Sequence, residues 1–504
     1  MRKAGILLPI FSLPSKYGIG SLGKEAYDFI DFLVKCGQSV WQVLPITSLN
    51  REDYYSPYKT SGAFSGNPLF IDLDILVEEG LLDNNFINEN YFYLDGLDPR
   101  YVDYDKVTSF KEVCLKKAFE NYKTVISGNV EEKNRFDKFY NENIFWLDDY
   151  CKFMSLKTIN DNRPYWEWAK VKSVDEIDDE KTLSEYEFYY KYNLFLQYKF
   201  FEQWSKLKEY ANSKSIEIFG DIPIYVSQDS SDFFYKRNIF LVDEKGEIDK
   251  IAGVPPDEFS ETGQIWGNPL YDWKKLKKRK YDWWMHRIKK SLELYDILRI
   301  DHFRGFESFY CIDATTRDAI NGKWEKGPDR DFFNVLKKEI PNANIVAEDL
   351  GIITDDVKSL LEYTGFPGMK VIQFGFSTNS YNDNLPHMFY KNTVAYTGTH
   401  DNKTLAQWLD TTQGGPREYA MKYLRLSTYE RYTEGFIRAV MASCSDLSIV
   451  PIQDWLDYGG WARINTPSTV GTNWKFRLLE NELTDDLISY ISEISGIYGR
   501  YVNR

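Results

Sequence analysis

The feature of this 504-residue chain that most constrains its fold is a series of short apolar runs, rich in β-branched residues, that recur along its length. Stretches with apolar residues at three- and four-residue spacing separate most of these runs and predict amphipathic helices, one of them over 25–36 and followed by Gly37. Strands that alternate with helices pair in parallel, and eight such units favour an α/β fold of the closed (β/α)8 TIM-barrel type, with functional groups at the carboxyl ends of the strands. The predicted strands are 5–11, 40–46, 216–226, 297–303, 345–350, 369–376, 393–399 and 447–452.

Two long gaps between the predicted strands indicate large insertions after barrel strands 2 and 3. Residues 50–215 begin with a loop rich in Tyr, Ser and Pro and end in a long aromatic helix near 185–210, which predicts a mostly helical subdomain. Residues 227–294 form a second insertion, which carries the loop 252–269. Because no Pro/Gly/Ser-rich linker separates either insertion from the barrel, we expect one unit over 1–504, with both insertions packed as subdomains on the C-terminal rim.

Charge and cysteine content argue against several classes of protein. The chain has 76 acidic and 62 basic residues and a net charge of −14, so nucleic acid is not an expected partner, and the basic stretch 273–290 is typical of a solvated helix face. Five scattered cysteines without a C-x-x-C pair predict neither a disulfide framework nor a zinc site and favour a reducing cytoplasm. The apolar run before Pro14 is too short for a signal peptide or a membrane span, so we expect a cytoplasmic protein without membrane attachment.

One glycine pattern raises a nucleotide-binding hypothesis. Gly18, Gly20 and Gly23 match the G-x-G-x-x-G fingerprint between a predicted strand and a predicted helix. The acidic residue that should follow about 20 residues later, at the end of the next strand, is replaced by Leu-Pro-Ile-Thr at 44–47, and Pro14 lengthens the turn. A structural glycine turn is therefore favoured. The four histidines show no paired metal-ligand spacing, so we expect neither a metal nor an organic cofactor.

Polar side chains follow three of the late predicted strands. They lie in the segments 299–305 (RIDHFRG), 347–351 (AEDLG) and 397–402 (TGTHDN). Taken alone, each of the carboxylates Asp301, Glu348 and Asp401 has an ordinary structural interpretation as a helix N-cap or an ion-pair partner. Since the carboxyl ends of barrel strands meet at one rim, the three together predict a site.

This set of residues is suited to the cleavage of a glycosidic bond. Cleavage with retention needs one ionised carboxylate that attacks the anomeric carbon and one protonated carboxylic acid that assists the leaving oxygen. Two neighbouring acids in different environments hold these opposite protonation states, and Arg299 near Asp301 keeps that carboxylate ionised. Asp301 and Glu348 therefore suit the two roles. Further candidates, for binding sugar hydroxyls, are Asp401, His302 and His400.

The order Arg-x-Asp, then Glu, then His-Asp on successive late strands resembles the α-amylase superfamily. Further segments narrow the resemblance to the 4-α-glucanotransferases of the amylomaltase type, glycoside hydrolase family 77, also called disproportionating enzymes. These segments are SPY at 56–58, AFSGNP at 63–68, GDIPIYV at 220–226, AGVPPDEFS at 252–260, QIWGNP at 264–269, PIQD at 451–454 and NTP at 465–467. The resemblance covers nearly the whole chain and is specific, because the Pro-Pro-Asp loop at 255–257 is not a general amylase feature.

The resemblance implies a role for each matching residue. Asp301 is implied as the nucleophile, Glu348 as the acid/base and Asp401 as a carboxylate that stabilises the transition state. Substrate-binding positions are implied at Tyr58, Asp221, Asp257, Phe259, Trp266, Asn268, Arg299, His302 and His400. The rings at 58, 259 and 266 are flat faces suited to pyranose rings, and Gly263 and Gly267 allow the loop between them to bend.

The expected activity is transfer of an α-1,4-glucan segment from a donor maltooligosaccharide to the 4-hydroxyl of glucose or of another glucan, through a covalent glycosyl-enzyme intermediate. Expected substrates are maltooligosaccharides and glucans derived from starch or glycogen, with glucose as an acceptor. An α-glucan hydrolase is the alternative within the same chemistry, because the partition depends on how well the loop 252–269 excludes water. A non-catalytic glucan-binding protein is a further alternative, which the three retained carboxylates disfavour. The oligomeric state is left open.

Overall fold

The computed structural model describes residues 2–256, 261–376, 382–427 and 429–502. Within these ranges, twelve strands form an eight-stranded parallel sheet and a four-stranded antiparallel sheet. The strands are β1 (Lys3–Leu7), β2 (Val40–Gln42), β3 (Glu217–Ile222), β4 (Lys250–Val254), β5 (Gln264–Pro269), β6 (Ile297–Ile300), β7 (Ser308–Asp313), β8 (Lys323–Lys326), β9 (Ile345–Ala347), β10 (Gly368–Val371), β11 (Thr393–Tyr396) and β12 (Leu447–Pro451).

The large sheet is the predicted barrel. Its order is β10-β11-β12-β1-β2-β3-β6-β9, all parallel, so the eight predicted runs supply its eight strands in chain order and the last strand pairs with the first. At this closure Lys3 pairs with Leu447 and Leu7 with Pro451. The strands carry buried residues on both faces, as expected for a parallel sheet wrapped by helices. The predicted (β/α)8 barrel is confirmed, and in the described residues it is nearly closed, because β9 and β10 are the two ends of the sheet.

The helices lie between the strands and in the insertions. They are α1 (Lys24–Lys35), α2 (Leu73–Glu78), α3 (Asn84–Asn90), α4 (Tyr104–Gly128), α5 (Val130–Ile159), α6 (Glu180–Ser213), α7 (Ser231–Tyr235), α8 (Trp273–Lys278), α9 (Asp282–Leu294), α10 (Asp329–Glu339), α11 (Asp355–Thr364), α12 (Leu405–Thr411), α13 (Gly415–Leu424), α14 (Tyr432–Ala442), α15 (Ile452–Trp455) and α16 (Asp485–Ile497). Helix α1 buries the predicted apolar face, and Gly37 beyond its end has φ +66°. Among the described residues, no helix combines the length and apolar character that a membrane crossing requires.

The segment between β2 and β3 holds α2 to α6, and its three long helices pack through aromatic rings such as Phe119 against Phe195. Helix α6 ties this segment to the barrel. Gln197 accepts from Gly66 N at 2.7 Å and donates to Gly66 O at 3.0 Å, and Trp204 Nε1 donates to Leu294 O at 3.1 Å. Because the Gly66 partners are backbone groups, α6 holds the loop after β2 in a defined conformation, and Trp204 attaches α6 to the end of α9.

A buried ion pair makes a second connection between the inserted helices and the rim. Lys157 on α5 is paired with Asp229 in the loop after β3, and the two side chains are only 6% and 5% exposed. The Lys157 ammonium also donates to Asn50 Oδ1 at 3.1 Å, and Asn50 Nδ2 donates to Asp229 O at 3.1 Å. This network joins α5 to the loops that follow β2 and β3.

The small sheet, in the order β5-β4-β7-β8, was not predicted as a unit. Strands β4 and β5 belong to the segment between β3 and β6, but β7 and β8 follow barrel strand β6 and form a third excursion. The sequence of β8, Lys-Trp-Glu-Lys, is exposed throughout and has no apolar face that would mark a strand. Its pairing with β7 places it on this sheet.

The basic stretch 273–290 forms α8 and the first part of α9. Its tryptophans, Trp273, Trp283 and Trp284, are buried, while most of its lysines are exposed, as predicted for a solvated helix face. Arg287 differs from the exposed basic residues of this stretch because it is buried. Its guanidinium carbon lies 5.0 Å from the centroid of the Trp284 ring, and its guanidinium donates to Ile224 O. Its hydrogen bond supports the backbone of the segment after β3.

Candidate active site

The three predicted carboxylates follow barrel strands at the same rim. Asp301 directly follows β6, Glu348 directly follows β9, and Asp401 lies in the loop after β11. Because Ile300 pairs with Ala347, the chain places Asp301 and Glu348 side by side at the edge of the barrel. A cleft of about 540 Å³ opens here, lined by Ser56, Tyr58, Lys59, Pro223, Ile224, Tyr225, Gly263, Gln264, Ile265, Trp266, Asn268, Asp301, His400, Asp401, Asn465, Ser468 and Trp474.

Arg299 joins two of the predicted acidic residues. It lies on β6 opposite Asp221 on β3, and its guanidinium donates to Asp221 Oδ2 at 2.5 Å and to Asp301 Oδ1 at 2.7 Å. Arg299 and Asp221 are 4% and 0% exposed, whereas Asp301 is 29% exposed and faces the cleft. Burial opposes charge on Arg299, but the Asp221 and Asp301 carboxylates raise its pKa well above the usual value. The guanidinium is therefore a permanent cation that stabilises the Asp301 carboxylate.

Tyr58 binds the same oxygen of Asp221 as Arg299 does. Its hydroxyl donates to Asp221 Oδ2 at 2.7 Å, and its ring stacks on His400 with centroids 5.1 Å apart and planes 16° apart. Burial, reinforced by the Asp221 charge, raises the pKa of the Tyr58 phenol well above its ordinary value, so the group stays neutral. Tyr58 therefore presents a fixed, uncharged ring to the cleft.

Glu348 is held by backbone groups from both sides. The N–H of His302 donates to Oε2 at 2.7 Å, and the N–H of Leu350 donates to Oε1 at 2.8 Å. Burial and then the negative charge of Asp301 raise the pKa of Glu348 to about 8, against the opposing effect of Arg299 and of the two N–H groups. At neutral pH, Glu348 is mainly a protonated acid beside the Asp301 carboxylate.

His302 adopts a left-handed backbone conformation, with φ +53°, directly after Asp301. This conformation turns its N–H toward Glu348, and its ring meets Trp266 edge-on at a centroid distance of 4.9 Å. Burial lowers the pKa of His302 to about 4. The imidazole is therefore neutral at physiological pH and has an N–H available for hydrogen bonding without carrying a charge.

Asp401 is oriented by two neighbours. Asn465 Nδ2 donates to Oδ1 at 2.6 Å, and His400 Nε2 lies 3.3 Å from Oδ2. Burial opposes ionisation, but His400 and Asn465 outweigh it and hold the pKa of Asp401 well below its usual range. The backbone carbonyl of Asp401 accepts from Arg463 at 2.7 Å. Asp401 is half-buried, and its ionised carboxylate faces the cleft.

Strand β5 brings Trp266 and Asn268 to the cleft. Asn268 Nδ2 donates to Val226 O at 2.8 Å, which attaches β5 to the segment after β3. Gly263 and Gly267 have φ of +68° and +75°, a conformation in which a side chain would be strained. The residues between them, predicted as part of a loop, belong to strand β5. Two predicted substrate-binding residues, Asp257 and Phe259, lie outside the described residues.

The structure also brings to the cleft residues that were not predicted. Trp474 has its ring centroid 5.7 Å from that of Tyr58 and 6.0 Å from that of His400, and Asn465 binds Asp401. Asn465 belongs to one of the segments that carry the family resemblance, so its place at the site could have been predicted from that segment. Trp474 is one of 14 tryptophans and stands in a loop without periodicity, so nothing in the sequence distinguished it.

The glycine turn after β1 is packed against the chain itself. A Cβ at Gly20 would lie 1.8 Å from Ile10 O, and one at Gly23 would lie 2.1 Å from Asp72 Oδ2. These glycines allow close packing, in agreement with the structural interpretation of the motif. Among the described residues, no group of three or more His, Cys, Asp and Glu side chains is placed to hold a metal ion.

Comparison with known proteins identifies the family. The glycoside hydrolase 77 family model, described as 4-alpha-glucanotransferase, matches residues 8–483. The chain is 47% identical to a 4-alpha-glucanotransferase of Clostridium butyricum over 497 residues, covering 97% of this chain and 99% of the relative. It is 37% identical to that of Aquifex aeolicus over 504 residues, covering 100% of both.

A solved structure agrees with these matches. The amylomaltase from Streptococcus agalactiae, determined in complex with acarbose, superposes with a TM-score of 0.92 at 37% identity and covers 99% of this chain and 100% of that one. The fold, the carboxylates at one rim and these matches lead to one conclusion. The chain belongs to the 4-alpha-glucanotransferases of glycoside hydrolase family 77.

Proposed function

We propose that this protein transfers α-1,4-glucan segments between maltooligosaccharides through a glycosyl-enzyme intermediate on Asp301. The observation that carries the proposal is the contrast between two adjacent acids. Asp301 is ion-paired with a buried Arg299, whereas Glu348 is held protonated by burial and by the charge of Asp301. A retaining mechanism requires this division of roles.

In the first step, Asp301 attacks the anomeric carbon of the donor while Glu348 gives its proton to the leaving 4-oxygen. The bond from the anomeric carbon to that oxygen breaks, the shortened glucan leaves with a free 4-hydroxyl, and Asp301 carries the glycosyl unit. In the second step, the 4-hydroxyl of the acceptor attacks the same carbon, Glu348 takes its proton, and Asp301 is released. Two inversions restore the α configuration.

The other polar groups at the cleft suit the flattened, positively charged ring of the transition state. Asp401 is ionised and oriented by His400 and Asn465, so it can bind sugar hydroxyls more strongly as charge develops on the ring. We assign neutral His302 a donor role to a further hydroxyl, and Tyr58 and Trp266 the role of apolar faces for glucose rings.

Transfer requires the acceptor to compete with water for the glycosyl-enzyme. The bend at Gly263 and Gly267 sets Trp266 in the wall of the cleft, so we assign the loop 252–269 the task of holding the acceptor and excluding solvent. Asp257 and Phe259 stay predicted members of this loop. We further propose that residues 50–215 and 227–294 act as rim subdomains of a single catalytic unit over 1–504, and that the enzyme is cytoplasmic.

Incubation with pure maltotriose tests the proposal. The expected products are glucose and a ladder of longer maltooligosaccharides, separated by thin-layer chromatography. The number of reducing ends should stay nearly constant, because the released glucan keeps the donor's reducing end and the acceptor keeps its own, whereas hydrolysis creates a new one. A steady rise in reducing ends without a ladder would show a hydrolase. Unchanged maltotriose together with measurable binding would show a non-catalytic glucan-binding protein.

A further inference from the structure

The barrel has a seam beside Glu348. In the described part of the chain, β9 and β10 are the two ends of the eight-stranded sheet, so they share no strand ladder. Two hydrogen bonds cross between them. Ala347 N donates to Pro367 O at 3.0 Å, and Met369 N donates to Asp349 Oδ1 at 2.6 Å. At the second position, a side-chain carboxylate takes the place that a backbone carbonyl has in a ladder.

At the seam, the absence of a side chain at Gly368 leaves room for the Asp349 carboxylate. A Cβ at Gly368 would lie 2.6 Å from Asp349 Oδ2, so a residue with a side chain at 368 would displace the carboxylate. Burial raises the pKa of Asp349, and the Met369 N–H and the nearby Lys370 charge oppose that rise. Lys370 is itself buried on β10. The Met369 N–H and the Lys370 ammonium both belong to β10, and the N–H of Asp349 itself acts on the carboxylate in the same direction.

The backbone next to Asp349 holds the carboxyl group of Glu348. Leu350 N donates to Glu348 Oε1 at 2.8 Å, and the peptide that carries this N–H begins at Asp349. The other oxygen accepts from His302 N, which belongs to the loop after β6. Glu348 is therefore clamped between two backbone donors, and the orientation of one of them depends on where Asp349 is anchored.

We propose that Asp349 is a positioning residue for Glu348. By accepting the Met369 N–H across the seam, it fixes the Leu350 peptide and with it the direction in which Glu348 presents its proton. This inference rests on the proposed acid/base role of Glu348. A residue that positions the acid should matter most where the leaving group needs a proton and least where it does not.

Two donors separate these cases. Maltotriose leaves an alkoxide-like oxygen that must be protonated, whereas α-maltotriosyl fluoride releases fluoride as an anion when Asp301 attacks. We expect Asp349→Ala to lower kcat/KM for maltotriose about 10- to 100-fold, the effect of a misplaced catalytic group. First-turnover fluoride release should stay within about threefold of wild type, because that step needs no proton from the acid. Asp349→Asn keeps an acceptor for Met369 N–H and should retain about a third or more of wild-type activity with both donors.

Controls keep the outcomes distinct. Asp383→Asn alters an exposed carboxylate near Asp349 and should behave as wild type. If Asp349→Ala does not fold, Gly368→Ala provides the test, because its side chain would displace the same carboxylate. The loss of kcat/KM with maltotriose is then compared with the loss of first-turnover fluoride release, as for Asp349→Ala. Equal losses with both donors, no loss with either, or unfolding of both variants would overturn the positioning role. If Glu348→Gln itself shows no selective loss with maltotriose, the proposed function fails instead.

Discussion

The raised pKa of Glu348 predicts how activity depends on pH. The proposed acid must carry a proton when the glycosidic bond breaks, and burial beside Asp301 places the pKa of Glu348 at about 8. As pH rises through this value, the protonated fraction falls from about nine-tenths at pH 7 to about one-tenth at pH 9, so kcat/KM for maltotriose should fall about tenfold. Because kcat/KM reports the free enzyme, it is the quantity to compare with the structure.

The fall in kcat/KM at alkaline pH is measured from initial rates of glucose release from maltotriose between pH 6 and pH 10. First-turnover fluoride release from α-maltotriosyl fluoride should not show it, because fluoride leaves without a proton. Arg299 lowers the pKa of Glu348, so Arg299→Met should raise that pKa and shift the fall in kcat/KM to higher pH, while reducing the rate. A rate with maltotriose that stays flat to pH 10, or the same loss with both donors, would refute the assignment of Glu348 as the acid.

Three further predictions concern the surroundings of the site. Lys157→Met leaves Asp229 buried and unpaired, so the free energy of unfolding in urea should fall by about 3 to 5 kcal/mol. The double variant Lys157→Met/Asp229→Leu should recover part of this loss. A urea midpoint of Lys157→Met equal to that of wild type would contradict the prediction. Trp474→Ala removes the ring that packs on Tyr58 and His400 and should raise KM for maltotriose several-fold, with Trp474→Phe intermediate; equal KM values would exclude this role. Prolonged EDTA treatment and dialysis should leave transfer activity intact, because the carboxylate pair supplies the chemistry, and activity that returns only with added metal would disprove this.

The barrel strands could be predicted because each is buried on both faces. Such strands appear in the sequence as short continuous apolar runs, and each predicted run overlaps one strand of the barrel. The runs extended beyond the strand ends, since residues such as Phe303 and Phe376 continue the apolar pattern into buried loops. The exposed strand β8 carried no such signal, and its pairing with β7 depends on a fold that was not yet known.

The catalytic carboxylates could be predicted because polar residues directly after apolar strands are conspicuous. The groups that orient them could not be predicted in the same way. Asn465 and Trp474 reach the site from a loop after the last strand, far along the chain from Asp401, through contacts that only the closed barrel creates. Asp349 is adjacent to Glu348 in sequence, but its anchoring role depends on the seam with β10.

The central claim is that Asp301 becomes covalently glycosylated while Glu348 supplies the proton. The most direct measurement is intact-protein and peptide mass spectrometry of the Glu348→Gln variant mixed with α-maltotriosyl fluoride. Asp301 should still attack the activated donor, and the variant should accumulate an adduct of one maltotriosyl unit on the peptide that contains Asp301. Fluoride release without an adduct, an adduct on another residue, or a folded Asp301→Asn variant that transfers glucans at the wild-type rate would contradict the claim.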